Sequence, residues 1–250
     1  MTLFPDSAEI RVHLDAGALI ACEVQRQWRK PVVTRKARFE FVPGDRTDAM
    51  DSLAEWIRHA PARRSVVWIV GSTDAQYFML PWSPAWVNRA MRDAYARARF
   101  EQLYEMDAQQ SVFCFAEATA GSAQMVSCIS IRLQAELTLH ARQTGCELAG
   151  IKPSIAAVWD RFRDVLETEQ GTLCVVEGDR QAMVRHNRQR IEDITVKPSG
   201  KGAAPTAARG GVFRRFANNN ASPTNLKLTA QPGFVAQRDA AWAIALCGAL

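Results

Sequence analysis

A mixed α/β fold, in which hairpin-paired strands alternate with crossover helices, is the class that the 250-residue sequence predicts. Three observations point to it. Short apolar runs bounded by Gly, Pro, Asp or Ser alternate along the chain with stretches of helical spacing. Strand-turn-strand units occur around Asp15-Ala16-Gly17 and again around Gly178-Asp179, a loose duplication. A hydrophobic content of 48% with 23% charged residues suits one large domain or two small ones and excludes disorder throughout.

Taken in order, Ile10, Val12 and Leu14 alternate with polar neighbours, Asp15-Ala16-Gly17 makes a turn, and 18–24 returns as a second strand. A third strand at 38–42 ends at Pro43-Gly44-Asp45. Thr47 or Asp48 caps a helix that carries Met50, Leu53, Ala54 and Ile57 and stops before Pro61. The apolar run 66–70 is a buried strand closed by Gly71-Ser72. A short strand at 77–80 leads through Pro81-Trp82-Ser83-Pro84 into a helix of about twenty residues, with Ser83 as N-cap and Pro84 in the first turn. In that helix Val87, Met91, Ala94, Tyr95 and Ala98 share a face, expected to be the buried one, with Arg89, Arg92 and Arg99 opposite. Strands at 112–115 and 125–131 precede a helix that turns Leu133, Leu137 and Ala141 inward and stops at Gly145. A strand at 147–151, a helix at 154–166, a strand at 173–176 and strands at 182–185 and 191–196 follow. Residues 226–228 read as a short strand, and 238–250, apolar nearly all round, as a buried helix.

The net charge is +5, from 31 Lys and Arg against 26 Asp and Glu, a balance that raises nucleic acid or an anionic membrane as partners. Six basic residues and no acidic one lie between Lys197 and Lys227, which leaves the rest of the chain near neutral. Gly, Pro, Ala and Asn dominate 197–223, so this segment buries too little apolar area to offset its ordering entropy and is expected to be a mobile basic loop. The six cysteines are scattered without a C-x-x-C pair, mostly in apolar runs, which predicts a reducing compartment. No leader pattern is present, and the longest apolar run, 240–250, falls well short of the roughly 20 residues of a membrane span, so a cytoplasmic protein is expected.

This layout, with an acidic Gly-containing turn in each half, resembles the actin-like (duplicated ribonuclease-H-like) fold, two lobes around a groove. Within it the chain is similar to the family of the pilus-assembly protein PilM and the cytoplasmic domain of the type II secretion protein GspL. Three stretches carry the likeness: Val12-His13-Leu14-Asp15-Ala16-Gly17 with its return strand, Thr144-Gly145-Cys146-Glu147-Leu148-Ala149-Gly150-Ile151-Lys152-Pro153-Ser154, and the apolar run 240–250. The resemblance implies a first lobe over 1–110 and a second over 111–250. It also implies a non-catalytic scaffold of a bacterial pilus or secretion machine, peripheral on the cytoplasmic face of the inner membrane. Such a scaffold binds the N-terminal tail of a single-span inner-membrane partner in the groove, with a homodimer as a further state to test.

In actin-like ATPases an Asp-x-Gly-Thr/Ser turn wraps backbone amides around phosphate, its Asp holds Mg²⁺ through water, and a second turn closes from the other lobe. The matching residues are Asp15 and Gly17, and Gly178 and Asp179. Ala18 stands where the hydroxyl belongs, 18–24 lacks a basic residue, the second turn reverses the Asp-Gly order, and no Gly pair before a helix matches the adenosine site. No cofactor is therefore expected, and an actin-like ATP-binding protein or ATPase with ATP and Mg²⁺ is the alternative. His13, His59, His140 and His186 are dispersed and read as structural or surface residues, and Ser65, Ser72 and Ser83 lack a nucleophile context, so neither a metal site nor an active site is expected. Trp82 and Trp86 either pack the following helix onto a sheet or offer a partner patch. Arg89 and Arg92, with Arg214 and Arg215 of the basic segment, would meet acidic partner residues or anionic lipid heads. A nucleic-acid binder that uses Phe213 and Phe216 beside Arg214 and Arg215 is the second alternative.

Overall fold

The computed structural model describes residues 7–27, 30–60, 63–118, 120–168, 170–188, 190–199, 212–217 and 226–249. Strands β1 (Ser7–Leu14), β2 (Ala18–Gln27) and β3 (Lys30–Glu40) form an antiparallel meander, and α1 (Thr47–Arg58) crosses from it to β4 (Arg63–Val70), parallel to β1. Next come β5 (Gln76–Leu80), a 3₁₀ turn at Pro84–Val87, α2 (Arg89–Tyr104), β6 (Ser111–Phe115) and β7 (Gln124–Ser130), which build a small antiparallel sheet of order β5-β7-β6. Helix α3 (Ile131–Gln143) leads back to β8 (Glu147–Pro153), parallel to β4, and completes the first sheet in the order β3-β2-β1-β4-β8. After α4 (Ser154–Arg161) and α5 (Arg163–Leu166), strands β9 (Gln170–Glu177), β10 (Arg180–Asn187) and β11 (Arg190–Pro198) form a second meander. Strand β12 (Val212–Ala217) adds parallel to β9, giving the order β11-β10-β9-β12, and α6 (Ala243–Leu246) lies near the C-terminus. Each large sheet thus starts as a meander and receives a parallel strand, which is the duplication foreseen from the two turns.

Strand β1 is central and buried on both faces. Ile10, Val12 and Leu14 are wholly buried. Arg11 and His13, on the other face, are buried too, at 3% and 0% exposure. Arg11 Nε donates to Ala245 O (2.6 Å) and Nη2 to Cys247 O (2.5 Å), so an interior cation is satisfied by carbonyls at the end of α6. On the first face Trp68 of β4 lies edge-on to His140 of α3 (centroids 5.5 Å apart), and His140 Nε2 is 3.1 Å from Met50 O of α1. One hydrophobic core joins the two large sheets, while Phe78, Leu80, Ala96, Phe100 and Val126 form a second core inside the small sheet and α2.

Several expectations are corrected. The division at 110/111 does not follow the sheets, because β8 joins the first sheet and residues 226–249 return to it: Val33 N donates to Pro232 O (3.0 Å) and Trp242 Nε1 to Ala37 O (3.2 Å). Asp45, not Thr47 or Asp48, supports the start of α1, accepting from Thr47 N at 3.2 Å. The long helix after Pro81 is two pieces, since Ser83 caps only the 3₁₀ turn and Asn88 starts α2 by accepting from Ala90 N (2.9 Å). Its expected buried face is the exposed one: Met91 and Tyr95 are 55% and 49% accessible, whereas Ala96 and Phe100 are sealed against the small sheet. Within 197–223, Lys197 and Pro198 belong to β11 and 212–217 is β12, so Arg214 and Arg215 sit on a sheet strand; residues 200–211 and 218–225 lie outside the described residues. Residues 226–228 form no strand, and 238–250 contains a 3₁₀ turn at Ala240–Trp242 and the single turn of α6 in place of a long helix.

Candidate functional site

The ends of β1, β4, β8 and β9 converge where the two large sheets meet, and Glu177, the last residue of β9, stands at the centre with 2% exposure. Its Oε1 lies 2.9 Å from Nε2 of His13. Its Oε2 accepts from Ser72 N (3.1 Å), from Ser72 Oγ at short range, and from Ser154 Oγ (2.9 Å). Burial opposes ionisation of this carboxyl, yet the hydrogen bond and charge of His13 and the two serine hydroxyls outweigh it, so its pKa lies below the ordinary glutamate range. A carboxylate only accepts, so His13 Nε2 carries the proton in this contact. Tyr77, buried alongside, has its hydroxyl pKa raised by burial and secondarily by the Glu177 charge, and stays neutral.

Gly71, just before Ser72, is required by close approach. A Cβ there would lie 2.7 Å from Leu14 O, 3.3 Å from Glu177 Oε1 and 3.4 Å from His13 Nε2. The two turns read as phosphate loops do come together, but against each other. Gly178 has φ +53°, and a Cβ on it would lie 3.4 Å from Asp15 Oδ1 and 3.8 Å from the Ala16 Cβ. Asp15 accepts from its neighbour Ala16 N at 2.9 Å, Gly17 O accepts from Phe41 N in the hairpin, and Asp179 is exposed beyond the contact. A Cβ on Gly178 would thus be in ordinary contact with the first turn, so the two turns face each other across about the width of one methyl group. Among the described residues no group of three His, Cys, Asp or Glu side chains is placed to hold a metal ion.

Beside this junction lies a cleft of about 520 Å³ between β5, α2 and β11, lined by Tyr77, Met79, Arg99, Leu103, Tyr104 and Val196 among others. Strand β5 is one edge of the small sheet and β11 one edge of the second sheet, and their Cα atoms approach within 8 Å without pairing. On β5 the Tyr104 hydroxyl donates to Tyr77 O (2.6 Å) and accepts from Tyr77 N (3.3 Å), so Tyr77 turns its backbone groups away from β7. Period-two alternation gives Met79 the same orientation. On β11, Ser199 N bonds to Asp179 O across the β10–β11 register, which makes 195 and 197 the bonded positions and leaves the backbone groups of Ile194 and Val196 directed at the cleft.

The remaining expected partner-binding residues are not brought to one place. Trp82 is 46% exposed, the Trp86 ring lies 6.1 Å from Tyr95, Arg89 is exposed, and the Arg92 guanidinium lies 4.5 Å above Phe115. Arg214 and Arg215 pair with Leu173 and Cys174 on β12, three strands across the second sheet from β11, or about 14 Å at 4.8 Å per strand. Arg214 and Arg215 thus lie on β12 of the second sheet, while Arg89 and Arg92 lie on α2. Sequence reasoning passed over Glu177, Ser72 and Ser154 as a unit and took His13 as one of four dispersed histidines. The available signal was a second polar residue, after Arg11, on one face of a strand flanked by strands on both sides.

Compared with solved structures, the chain is similar to a chain of a PilM-PilN type IV pilus biogenesis complex, with 17% identity and a TM-score of 0.56 over 76% of this chain and 61% of that one. It is also similar to the cytoplasmic domain of EpsL, an inner-membrane component of the type II secretion system of Vibrio cholerae, with 11% identity and a TM-score of 0.57 over 96% and 94% of the two chains. A Bacteroides thetaiotaomicron protein with an actin-like ATPase fold and unknown function matches at 7% identity and a TM-score of 0.52, over 79% of this chain and 71% of that one. The chain has the actin-like fold, and it spans 61% of the length of the chain it matches in the PilM-PilN complex. No protein-family model and no curated protein matches it.

Proposed function

We propose that this chain is a non-catalytic scaffold of a bacterial pilus or secretion machine, and that it holds the extended N-terminal tail of a single-span inner-membrane partner in the cleft between β5 and β11. The observation that carries the proposal is the cleft: two strand edges face it with backbone donors and acceptors, an arrangement suited to β-strand addition. Met79, Leu103 and Val196 offer contacts for alternate apolar side chains, and Arg99 and Arg180 for an acidic one. Likeness in fold to a PilM chain and to the EpsL cytoplasmic domain agrees with this reading. Among the described residues no helix is long and apolar enough to cross a membrane.

An actin-like fold implies Mg-ATP at the junction, and the residues there do not fit it. Asp15 and Gly178 face each other across about the width of one methyl group, and the buried Glu177–His13 pair occupies the centre of the junction. Calorimetry and thermal unfolding with millimolar Mg-ATP are expected to give neither heat nor stabilisation; a ligand at 100 times its Kd would add about 2.7 kcal/mol. For the tail, synthetic peptides copying the cytoplasmic segments of single-span proteins encoded beside this gene are titrated while amide exchange is followed. Binding should protect the amides of Met79, Ile194 and Val196. Two strands that flank a third stand about 9.6 Å apart, so seating the tail along its whole length also spreads the two edges. Protection confined to other surfaces would refute the cleft as the site.

A further inference from the structure

The face of α2 that points to solvent is apolar, and its residues Met91, Ala94, Tyr95 and Ala98 do not line the cleft, which the helix reaches through Arg99, Leu103 and Tyr104. Met91, Ala94, Tyr95 and Ala98 stand at i, i+3, i+4 and i+7, the spacing of one helical stripe. All four are exposed, Met91 at 55% and Tyr95 at 49%. The Trp86 ring leans on Tyr95 and broadens the stripe, and Trp82 is exposed at its approach. The opposite face of the same helix, through Ala96 and Phe100, already satisfies the small sheet, so the stripe is not needed for folding. Ala94 and Ala98 lie beside Met91 and Tyr95 on the edge away from Arg92 and Arg99, and their small side chains let a second helix come to the usual 8–10 Å axial separation.

Charge decides what covers it. At 100° per residue Arg92 and Arg99 lie along one side of the stripe, and neither forms an ion pair with an acidic residue among the described residues. An antiparallel two-fold pairing of α2 with its own copy would set these arginines against each other. Segment 82–107 as a whole carries Arg89, Arg92, Arg97 and Arg99 against Asp93, Glu101, Glu105 and Asp107, so it projects no net field toward an anionic bilayer, which recruits clusters of four or more unopposed cations. We propose that the α2 stripe is a docking face for an amphipathic helix of a partner protein whose apolar ridge is flanked by Asp or Glu on the side that meets Arg92 and Arg99. The aromatic and arginine content matches the side chains that dominate interface energetics, and the flank sets specificity by charge.

The test is a selection on the full chain. A displayed library of 21-residue helices with a fixed apolar ridge, and flanks varied among Glu, Gln and Lys, is selected on the wild type and counter-selected on a Met91→Glu/Ala98→Glu variant. Both substituted positions are exposed, and the variant's unchanged unfolding midpoint verifies its fold. Enrichment of Glu at the flank is expected, with the chosen peptide at least tenfold weaker on the stripe variant, and Arg92→Glu/Arg99→Glu should turn the preference to Lys. Failure to recover a stripe-dependent helix, or recovery of Gln or Lys flanks on the wild type, overturns the proposal. Stripe-dependent dimerisation in sedimentation, or binding to phosphatidylglycerol vesicles that Met91→Glu abolishes, overturns it in favour of a second copy or a membrane.

Discussion

Replacing Glu177 by glutamine keeps the side-chain shape and removes the charge on which four donors converge. The amide oxygen can face Ser72 N, Ser72 Oγ and Ser154 Oγ only if the amide nitrogen faces His13. His13 must then accept through Nε2 and carry its proton on Nδ1, a buried atom without a hydrogen-bond partner among the described residues. Three charge-assisted bonds fall to neutral ones at about 1 kcal/mol each, so E177Q should destabilise by about 3 kcal/mol. Urea unfolding at neutral pH measures this directly. The pH dependence fixes the cause. A carboxyl with a depressed folded pKa contributes stability that is present above its unfolded value, about 4.3, and lost as pH falls through the folded value. The gap between wild type and E177Q should therefore be flat near neutrality and shrink below about pH 4. A loss under about 1 kcal/mol, or a gap that stays constant down to pH 3, would refute the assignment of Glu177 as the ionised centre of the junction.

Gly71→Ala forces a Cβ against Leu14 O and the Glu177–His13 pair and should cost about 1–3 kcal/mol in unfolding free energy, where an ordinary loop Gly→Ala would be neutral or stabilising. Arg11→Met strips the donors from Ala245 O and Cys247 O; a loss of about 3 kcal/mol is expected, with amide exchange accelerated first over 243–249. Tyr104→Phe removes the hydroxyl that caps the open edge of β5, so the chain should lose about 1 kcal/mol of stability while tail peptides bind more tightly; weaker binding would mean that the hydroxyl contacts the tail instead. Burial pushes the Cys128 and Cys247 thiols up to about 12, so in a thiol titration of the native chain at pH 8 they should react only on unfolding, and exposed Cys114 should react at once.

The strands were legible wherever period two or a continuous apolar run was bounded by turn residues, because strand and turn chemistry are local. What the pattern does not contain is which sheet covers which face. Polar Arg11 and His13 alternate with Ile10, Val12 and Leu14 as they would on a half-exposed strand, yet β1 is central, and α6 and β9 supply the carbonyls and the carboxylate that let both polar side chains go inside. Helix α2 has apolar residues on two faces. Periodicity found the stripe at 91, 94, 95 and 98, but the inward face was chosen by Phe100 meeting Phe113 (centroids 5.3 Å apart) and Phe78 (6.5 Å). Strand β12 was hidden because its six residues sit between Gly- and Asn-rich stretches, and a parallel strand takes its stability from a distant partner, here β9. The apolar run at the end reads as a helix on composition alone. Its carbonyls at 245 and 247 go instead to Arg11, so the segment did not need helical hydrogen bonds to be buried.

His13, Ser72, Ser154 and Glu177 share a location, and that bears on function. The first turn keeps the Asp and Gly of a phosphate loop and faces Gly178, while one carboxylate ties together β1, the loop after β4, the start of α4 and the end of β9. Side chains thus hold the two large sheets together at this junction. Under the proposed function these hydrogen bonds stand in for a ligand at the junction, and a ligand-driven change acts where sheets approach without pairing, at the edges of β5 and β11. This predicts that E177Q, by loosening the junction, raises amide exchange at Ser72 and Ser154 while the affinity of the cleft for tail peptides stays within about threefold, or roughly 0.65 kcal/mol. A large loss of tail binding in E177Q would show instead that junction and cleft work as one site.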